Sequence, residues 1–423
     1  MIEYKDLEFD FGDRRLVGQK FARKQVKRII QSERISHAYL FSGPPGIGKT
    51  AFALTFAEII NGIDNITDIK GQAFSKKSSW FTHPDINVFL PMPTSAVRNK
   101  NVSAELRPRL EMLRDDPYEI VDFSLRPSLT DDDASKNLQA FYPIDYFREH
   151  IRKTARLKPN EGRKTVIILT GIEQMRKEAA NAFLKLLEEP SDDLIFLLTT
   201  DHTEALLPTI ISRCQHIQLS ALKTGEIKQA LITYDGLSED DADYLSRVSG
   251  GNYAMTRFFD VNQLKSLRKE IVNYLRASYM QDAVQITDTA QDWQSHQNIE
   301  GQISILNVLE VFLRDLLVYR STENSSLITN AGQLEVIKKF CKTLSDARLE
   351  EMIEEVNRCK PMIYQNVQAK YVFTVLAFNS QFFNRGLSRE GKAYVLLIEY
   401  LSLIKVFMYA EGMIAIKSKL VGE

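Results

Sequence analysis

The run GPPGIGKT, from Gly43 to Thr50, constrains this 423-residue chain more than any other feature. An apolar strand precedes it, Ala38 to Phe41, and a helix carrying Phe52, Leu54, Phe56, Ile59 and Ile60 follows. The run is a full match to the phosphate-loop pattern GxxxxGK[ST] in the strand-to-helix context which that pattern requires. Glycines at 43, 46 and 48 let the backbone bend so that successive N–H groups point inward, and the helix adds the positive end of its dipole. The loop, Gly43, Pro44, Pro45, Gly46, Ile47, Gly48, Lys49 and Thr50, is therefore expected to cradle the phosphates of ATP or ADP. Lys49 is the natural partner of the β- and γ-phosphates, and the Thr50 hydroxyl can join the coordination of Mg²⁺. A plain glycine-rich turn is the simpler reading; the complete motif in its context favours phosphate.

A second strand–helix unit begins at Thr165, where VIIL is a short, continuously apolar run of the kind a doubly covered parallel strand shows. A helix with Ala179, Ala180, Phe183, Leu184 and Leu187 follows and stops near Pro190. Leu194 to Thr199 and His216 to Leu219 are further strand candidates. This alternation predicts an α/β fold, a parallel sheet covered on both faces. After about Ser220 the strand signal fades. Ala221–Tyr234, Glu239–Val248, Gln263–Tyr279, Ile303–Tyr319, Leu334–Leu344, Ala347–Arg358 and Ala393–Tyr409 carry helical periodicity, so the last third is expected to be all helical. Between Pro91 and Pro143 the chain is polar and proline-rich, with one short helix expected near Ala104–Leu113, and reads as a surface insertion.

Charge supplies a constraint of its own. Lysine plus arginine number 54 against 55 acidic residues, so bulk electrostatics recruit neither nucleic acid nor an anionic membrane. Any DNA contact must come from a local patch. The opening MIEYKDLEFDFGDRR has no apolar signal-like stretch, and no run is long enough to span a bilayer, which predicts a soluble, cytoplasmic chain with no membrane partner. Cys214, Cys341 and Cys359 are widely separated and form no CxxC pair, so neither a disulfide framework nor a four-cysteine zinc site is expected.

A phosphate loop alone names no function. Three motifs in order, SHAYLFSGPPGIGKTAFA, NAFLKLLEEP (Asn181 to Pro190) and the SRC triplet Ser212 to Cys214, resemble the clamp-loader branch of the AAA+ ATPases, most closely the delta-prime group of bacterial DNA polymerase III. The likeness covers about residues 15–90 and 144–220 in motif detail and the helical remainder in general layout. It implies a P-loop nucleotide-binding domain over residues 1–220 with the insertion at about 91–143, a small helical lid over 221–279, and a helical oligomerisation collar over 280–423. It also implies gamma/tau-like and delta-like subunits as partners in a hetero-pentameric ring, with the sliding clamp and primed DNA met through the complex. Val17, Gly18 and Gln19 match a segment that helps hold the nucleotide base, and Thr199 and Thr200 match the first sensor position. Arg213 matches the finger offered in trans to the neighbouring subunit's nucleotide; a guanidinium suits that role because it stays charged and spreads its donors over phosphoryl oxygens. The plain alternative for Arg213 is a solvated charge at a helix end, after a helix starting near Glu204.

The chain departs from an active ATPase in two places. Where the family carries Asp-Glu after its second apolar strand, this sequence has Thr170 and Gly171, and Glu173 falls two positions later, at the expected start of the next helix. After Gly251, where active relatives place a lid arginine, come Asn252, Tyr253 and Ala254, with Arg257 about a turn late. Losing the metal support and the oriented nucleophile removes most of the acceleration, so nucleotide binding with little hydrolysis is expected. The family's four zinc-binding cysteines are absent from Gly71–Asp85, leaving His83 as an ordinary hydrogen-bonding residue. The rival readings are a hydrolysing gamma/tau-like motor, a P-loop phosphotransferase and a DNA-binding regulatory ATPase.

Overall fold

The computed structural model describes residues 16–384 apart from 33, 62–78, 127–128, 130–138, 259–260, 297–298, 331–332 and 366. The helix expected at Ala393–Tyr409, and the polar segment TDDDASKN at 130–137 within the expected insertion, lie outside the described residues. Within them the strands are Ala38–Ser42 (β1), Ile86–Phe89 (β2), Met92–Pro93 (β3), Ala140–Phe141 (β4), Thr165–Leu169 (β5), Leu194–Thr200 (β6) and Gln215–Gln218 (β7). Five of them form one sheet in the order β2-β5-β6-β1-β7, and every neighbouring pair is parallel. β1, β5 and β6 are buried at every residue, which is why their sequences are continuously apolar rather than alternating. The expected mixed α/β domain with a parallel sheet is therefore present.

Helix Lys49–Asn61 leaves β1 and is buried almost all round, with Phe56 edge-on to both Tyr39 and Phe41. Its two buried polar ends are satisfied: Glu58 accepts the N–H of Trp80, and Asn61 accepts those of Arg163 and Lys164. On the other face Lys177–Glu188 lays Phe183 against Phe196 of β6 and Phe147.

Four features of this domain differ from the sequence reading. β2 was not expected: INVF is a four-residue edge strand with a polar Asn87, too short and mixed to stand out. The supposed surface insertion is partly core. It carries two helices, Thr94–Arg98 and Val102–Asp115, its ends pair as β3 and β4, and Ala96, Val102, Tyr118, Val121 and Phe123 are buried. Glu173 does not begin a helix; it lies in a 3₁₀ turn, Ile172–Gln174, ahead of Lys177–Glu188. Similarly, Arg213 follows a helix that starts at Pro208, with a separate turn at Thr203–Ala205.

The chain divides into two compact units, Met1–Leu264 with Gln297–Ser304, and Lys265–His296 with Ile305–Glu423. The first includes helices Thr224–Thr233 and Glu239–Val248; the latter is started by the Ser238 side chain, which accepts the Asp241 N–H. In the second unit, described residues are helical or in short turns. Trp293 packs at 5.0 Å from Tyr274 and 4.9 Å from Phe373, and Ser278 donates to the carbonyl of Ala377. Helices Ala283–His296 and Ala369–Asn384, absent from the sequence reading, build this core. Among the described residues no helix is long and apolar enough to cross a membrane.

Candidate functional site

In parallel sheets of this kind, ligands bind outside the carboxyl ends of the strands. There β1 ends at Ser42 beside Thr200 of β6, and the loop Gly43–Gly48 leaves for the helix. Gly43, Gly46 and Gly48 all have positive φ (147°, 68° and 94°), so the loop adopts a path that side-chain-bearing residues rarely take. Pro44 and Pro45 lie on the loop, Ile47 is buried beneath it, and Thr50 sits in the first helical turn. Lys49 is buried. Its ammonium donates to the carbonyls of Gly43 and Pro44 and pairs with Asp201 at 2.5 Å.

Val17, Gly18 and Gln19 meet this loop from the N-terminal side. Gln19 is buried, and its amide donates to the carbonyl of Ser220 and accepts its N–H, tying the segment to the chain beyond β7. It also reaches the Ile47 carbonyl at 3.5 Å. The backbone N–H of Val17 donates to the Tyr118 hydroxyl at 2.7 Å.

At the neighbouring strand end, Thr170 and Gly171 follow β5 directly. The Thr170 carbonyl accepts from Tyr142, and the Gly171 N–H donates to the Thr199 hydroxyl, so Thr199 joins β6 to the turn after β5. Glu173 accepts the N–H of Asp201 through one oxygen, while its other carboxylate oxygen is buried without a hydrogen-bond partner. Burial, and then the nearby Asp201, push its pKa up.

Sequence reasoning missed Asp201 and Tyr118. Asp201 was locally legible, since a carboxylate ending a strand beside a phosphate loop faces the lysine. Tyr118 was not, because it comes from the stretch read as a surface insertion. Its ring edge would lie 2.6 Å from a Cβ placed on Gly48, and it packs edge-on against Tyr253 at 4.8 Å. Burial raises the pKa of both phenols, that of Tyr253 to about 12. Arg257, expected to be a turn out of place, stacks over Tyr253 and pairs with Asp116 at 2.8 Å and Asp235 at 3.6 Å. Asn252 covers Gly46, and the Ala254 N–H donates to the Gly46 carbonyl.

Arg213 does not join this set. Its guanidinium is partly exposed and donates to Glu188 at 3.0 Å and to the Thr209 carbonyl at 3.1 Å. His83 is buried, and its ring accepts the Asp85 N–H. Among the described residues no group of three or more His, Cys, Asp or Glu could hold a metal ion. A glycine loop leading into a helix N-terminus is the kind of backbone that holds phosphates, and here the Tyr118 ring lies against its Gly48.

Two family models match the sequence: "DNA polymerase III, delta subunit" over residues 18–223, and its C-terminal counterpart over residues 262–370. This chain belongs to the DNA polymerase III delta/delta-prime family, in the clamp-loader AAA+ branch. Within that family it is 29% identical over 213 residues to the DNA polymerase III subunit delta′ of Bacillus subtilis, covering 50% of each chain. It is also 25% identical over 342 residues to the subunit tau of the same organism, covering 81% of this chain and 45% of that one. The chain thus spans about half the length of these curated relatives. A crystal structure of a gamma subunit-related protein from Thermotoga maritima aligns with 87% of this chain and 100% of that one, at 14% identity and a TM-score of 0.37. In this chain the site is bordered by the buried Tyr118–Tyr253–Arg257 cluster and by Thr170 and Gly171 at the end of β5.

Proposed function

We propose that this chain is a delta-prime-like subunit of the clamp loader of a replicative DNA polymerase III. In this reading it binds ATP or ADP with Mg²⁺ at Gly43–Thr50, hydrolyses little, and lends Arg213 to the nucleotide of a neighbouring subunit while a sliding clamp is loaded onto primed DNA. Val17 and Gly18 would face the base, Thr199 the γ-phosphate side, and Thr50 the metal. Residues 221–279 would act as the lid and 280–423 as the collar that joins gamma/tau-like and delta-like subunits in a five-membered ring.

The observation that carries the reading is the contrast between Thr170 and Gly171, which supply no carboxylate after β5, and Arg213, whose guanidinium is partly exposed at a helix end. The first removes the means of hydrolysis in cis; the second leaves a donor fork open to a neighbour. Glu188 holds that fork by an exposed ion pair, worth about 1 kcal/mol or less, which incoming phosphates can outcompete. The test is to assemble loaders with wild-type and Arg213→Ala chains, verify equal stoichiometry, and measure DNA-stimulated ATP hydrolysis and clamp loading. An in-trans arginine is worth on the order of a thousandfold at one site. Several sites share the work, so the total rate should fall by less; unchanged rates in a correctly assembled complex would remove the role.

A hydrolysing, gamma/tau-like role is the second reading, favoured by Asp201 beside Lys49 with Glu173 behind it. It requires steady turnover by the chain alone, abolished by Lys49→Ala, where the first reading requires almost none.

A further inference from the structure

We propose that Tyr118 is this protein's own occupant of its nucleotide site, carried on an arm that must move out before a nucleotide can enter. The inference rests on reading Gly43–Thr50 as a nucleotide site and concerns what controls entry to it.

The arm is the turn that follows helix Val102–Asp115. Its root is fixed by Arg109, buried in the core, whose guanidinium donates to the carbonyls of Val121 and Arg126 and lies 3.6 Å above the Phe123 ring. At its tip, Asp116 accepts the N–H of Tyr118 through one oxygen and the Arg257 guanidinium through the other. These contacts aim the Tyr118 ring at Gly48. The fit is mutual, because a side chain at 48 would collide with the ring at 2.6 Å.

Groups along the whole length of the site are engaged by the chain itself. At one end, the Val17 N–H, in the segment matched to base recognition, donates to the Tyr118 hydroxyl. In the middle, Tyr118 and Asn252 cover Gly48 and Gly46, and the Ala254 N–H holds the Gly46 carbonyl. At the phosphate end, the Lys49 ammonium is bound by two loop carbonyls and Asp201. Tyr118 and Tyr253 are fully enclosed, so the arm plugs the site rather than offering a stacking surface to a base.

The tip is the weak point. The Asp116–Arg257 pair joins the arm to the chain beyond Gly251, and both side chains keep some contact with water. Opening there would release Tyr118, the Val17 N–H and the Gly48 face together. If the arm is out in only about a tenth of molecules, apparent nucleotide affinity is about tenfold below that of the open site.

The test uses the full chain and measures binding of Mg²⁺-ADP by calorimetry. Tyr118→Ala should tighten binding about tenfold or more. Adding Lys49→Ala should cancel that gain. Asp116→Asn, which loosens the tip and leaves the aromatic packing in place, should give a smaller gain of the same sign, and keeps the test open if Tyr118→Ala fails to fold. In the wild type, saturating ADP should raise amide exchange over residues 116–126. Equal affinities in the wild type and both arm variants would overturn the proposal, whether binding were tight or absent throughout. Absence throughout would also remove the loop as a nucleotide site, yet would leave the Arg213 experiment on assembled loaders untouched, so the two readings fail separately.

Discussion

The loop after β1 and the turn after β5 leave the carboxyl ends of two strands separated by β6, and they differ in what their groups are doing. The loop keeps every residue of its motif, yet its lysine, glycine faces and neighbouring N–H are all engaged by the chain's own groups. The turn carries Thr170 and Gly171 directly after the strand, with its nearest carboxylate at Glu173, and its backbone is engaged by structural bonds to Tyr142 and Thr199. A retained motif and an available site are therefore different properties. The first is written in eight consecutive residues; the second depends on Tyr118 and Asp201, which approach from elsewhere.

The largest expected effect separates the two regions by glycine. A Cβ on Gly43 would stand 2.3 Å from the backbone carbonyl oxygen of Leu219, whose own N–H is bonded to Ser42, so neither strand end can give way. Gly43→Ala should destabilise the protein by roughly 3 kcal/mol, combining overpacking with a disfavoured φ. A Cβ on Gly171 meets nothing closer than 3.6 Å, leaving only the left-handed backbone penalty, so Gly171→Ala should cost about 1 kcal/mol. Urea unfolding midpoints of the two variants measure the difference. Equal shifts would mean that the loop is no more tightly fitted than the turn.

What the sequence made legible follows the range of the interactions. β1, β5 and β6 were readable because two-sided burial leaves an uninterrupted apolar run. Helix Glu239–Val248 was readable to the residue, since Ser238 starts it, acids fill its first turn and Gly250 follows its end. Helix Ala283–His296 was not, because only Ile286, Ala290 and Trp293 mark its buried stripe among polar residues. The loop's place and the missing carboxylates were local facts and were read. Tyr118 acts across a hundred residues of chain, on Val17, and nothing near position 118 announces it.

The second effect is electrostatic. Asp201 competes with any phosphate for Lys49, but it is about a third exposed, so the pair is worth about 1 kcal/mol or less. In a Tyr118→Ala background, where the site is open, Asp201→Asn should tighten metal-free ADP binding by a few-fold. Fluorescence titration would measure it. Weaker binding in the Asn variant would show that Asp201 positions Lys49 rather than occupying it, and the two strand ends would then act as one site.

The smallest effect concerns Glu173, which links the two regions through Asp201. Its pKa is raised above the ordinary 4.5 by burial first and by Asp201 second, and one carboxylate oxygen has no hydrogen-bond partner. The sign follows from the proton count. The folded state holds the proton to higher pH than the unfolded state does, so stability falls as pH rises from about 4.5 through the raised value, and the penalty is complete above it. Buried Asp122 is shifted in the same direction and contributes its own slope, so the informative quantity is a difference between variants. Glu173→Gln keeps an acceptor for the Asp201 N–H while removing the buried charge. It should stabilise the protein at pH 7 by about 1 kcal/mol or less, and the gain should vanish near pH 4 as wild-type Glu173 becomes protonated. Paired thermal melts of the two proteins across that range would read it. A loss of stability at pH 7, with the same loss at pH 4, would mean that the carboxylate serves the fold through its shape and not its charge, and that the strand ends are coupled by packing alone.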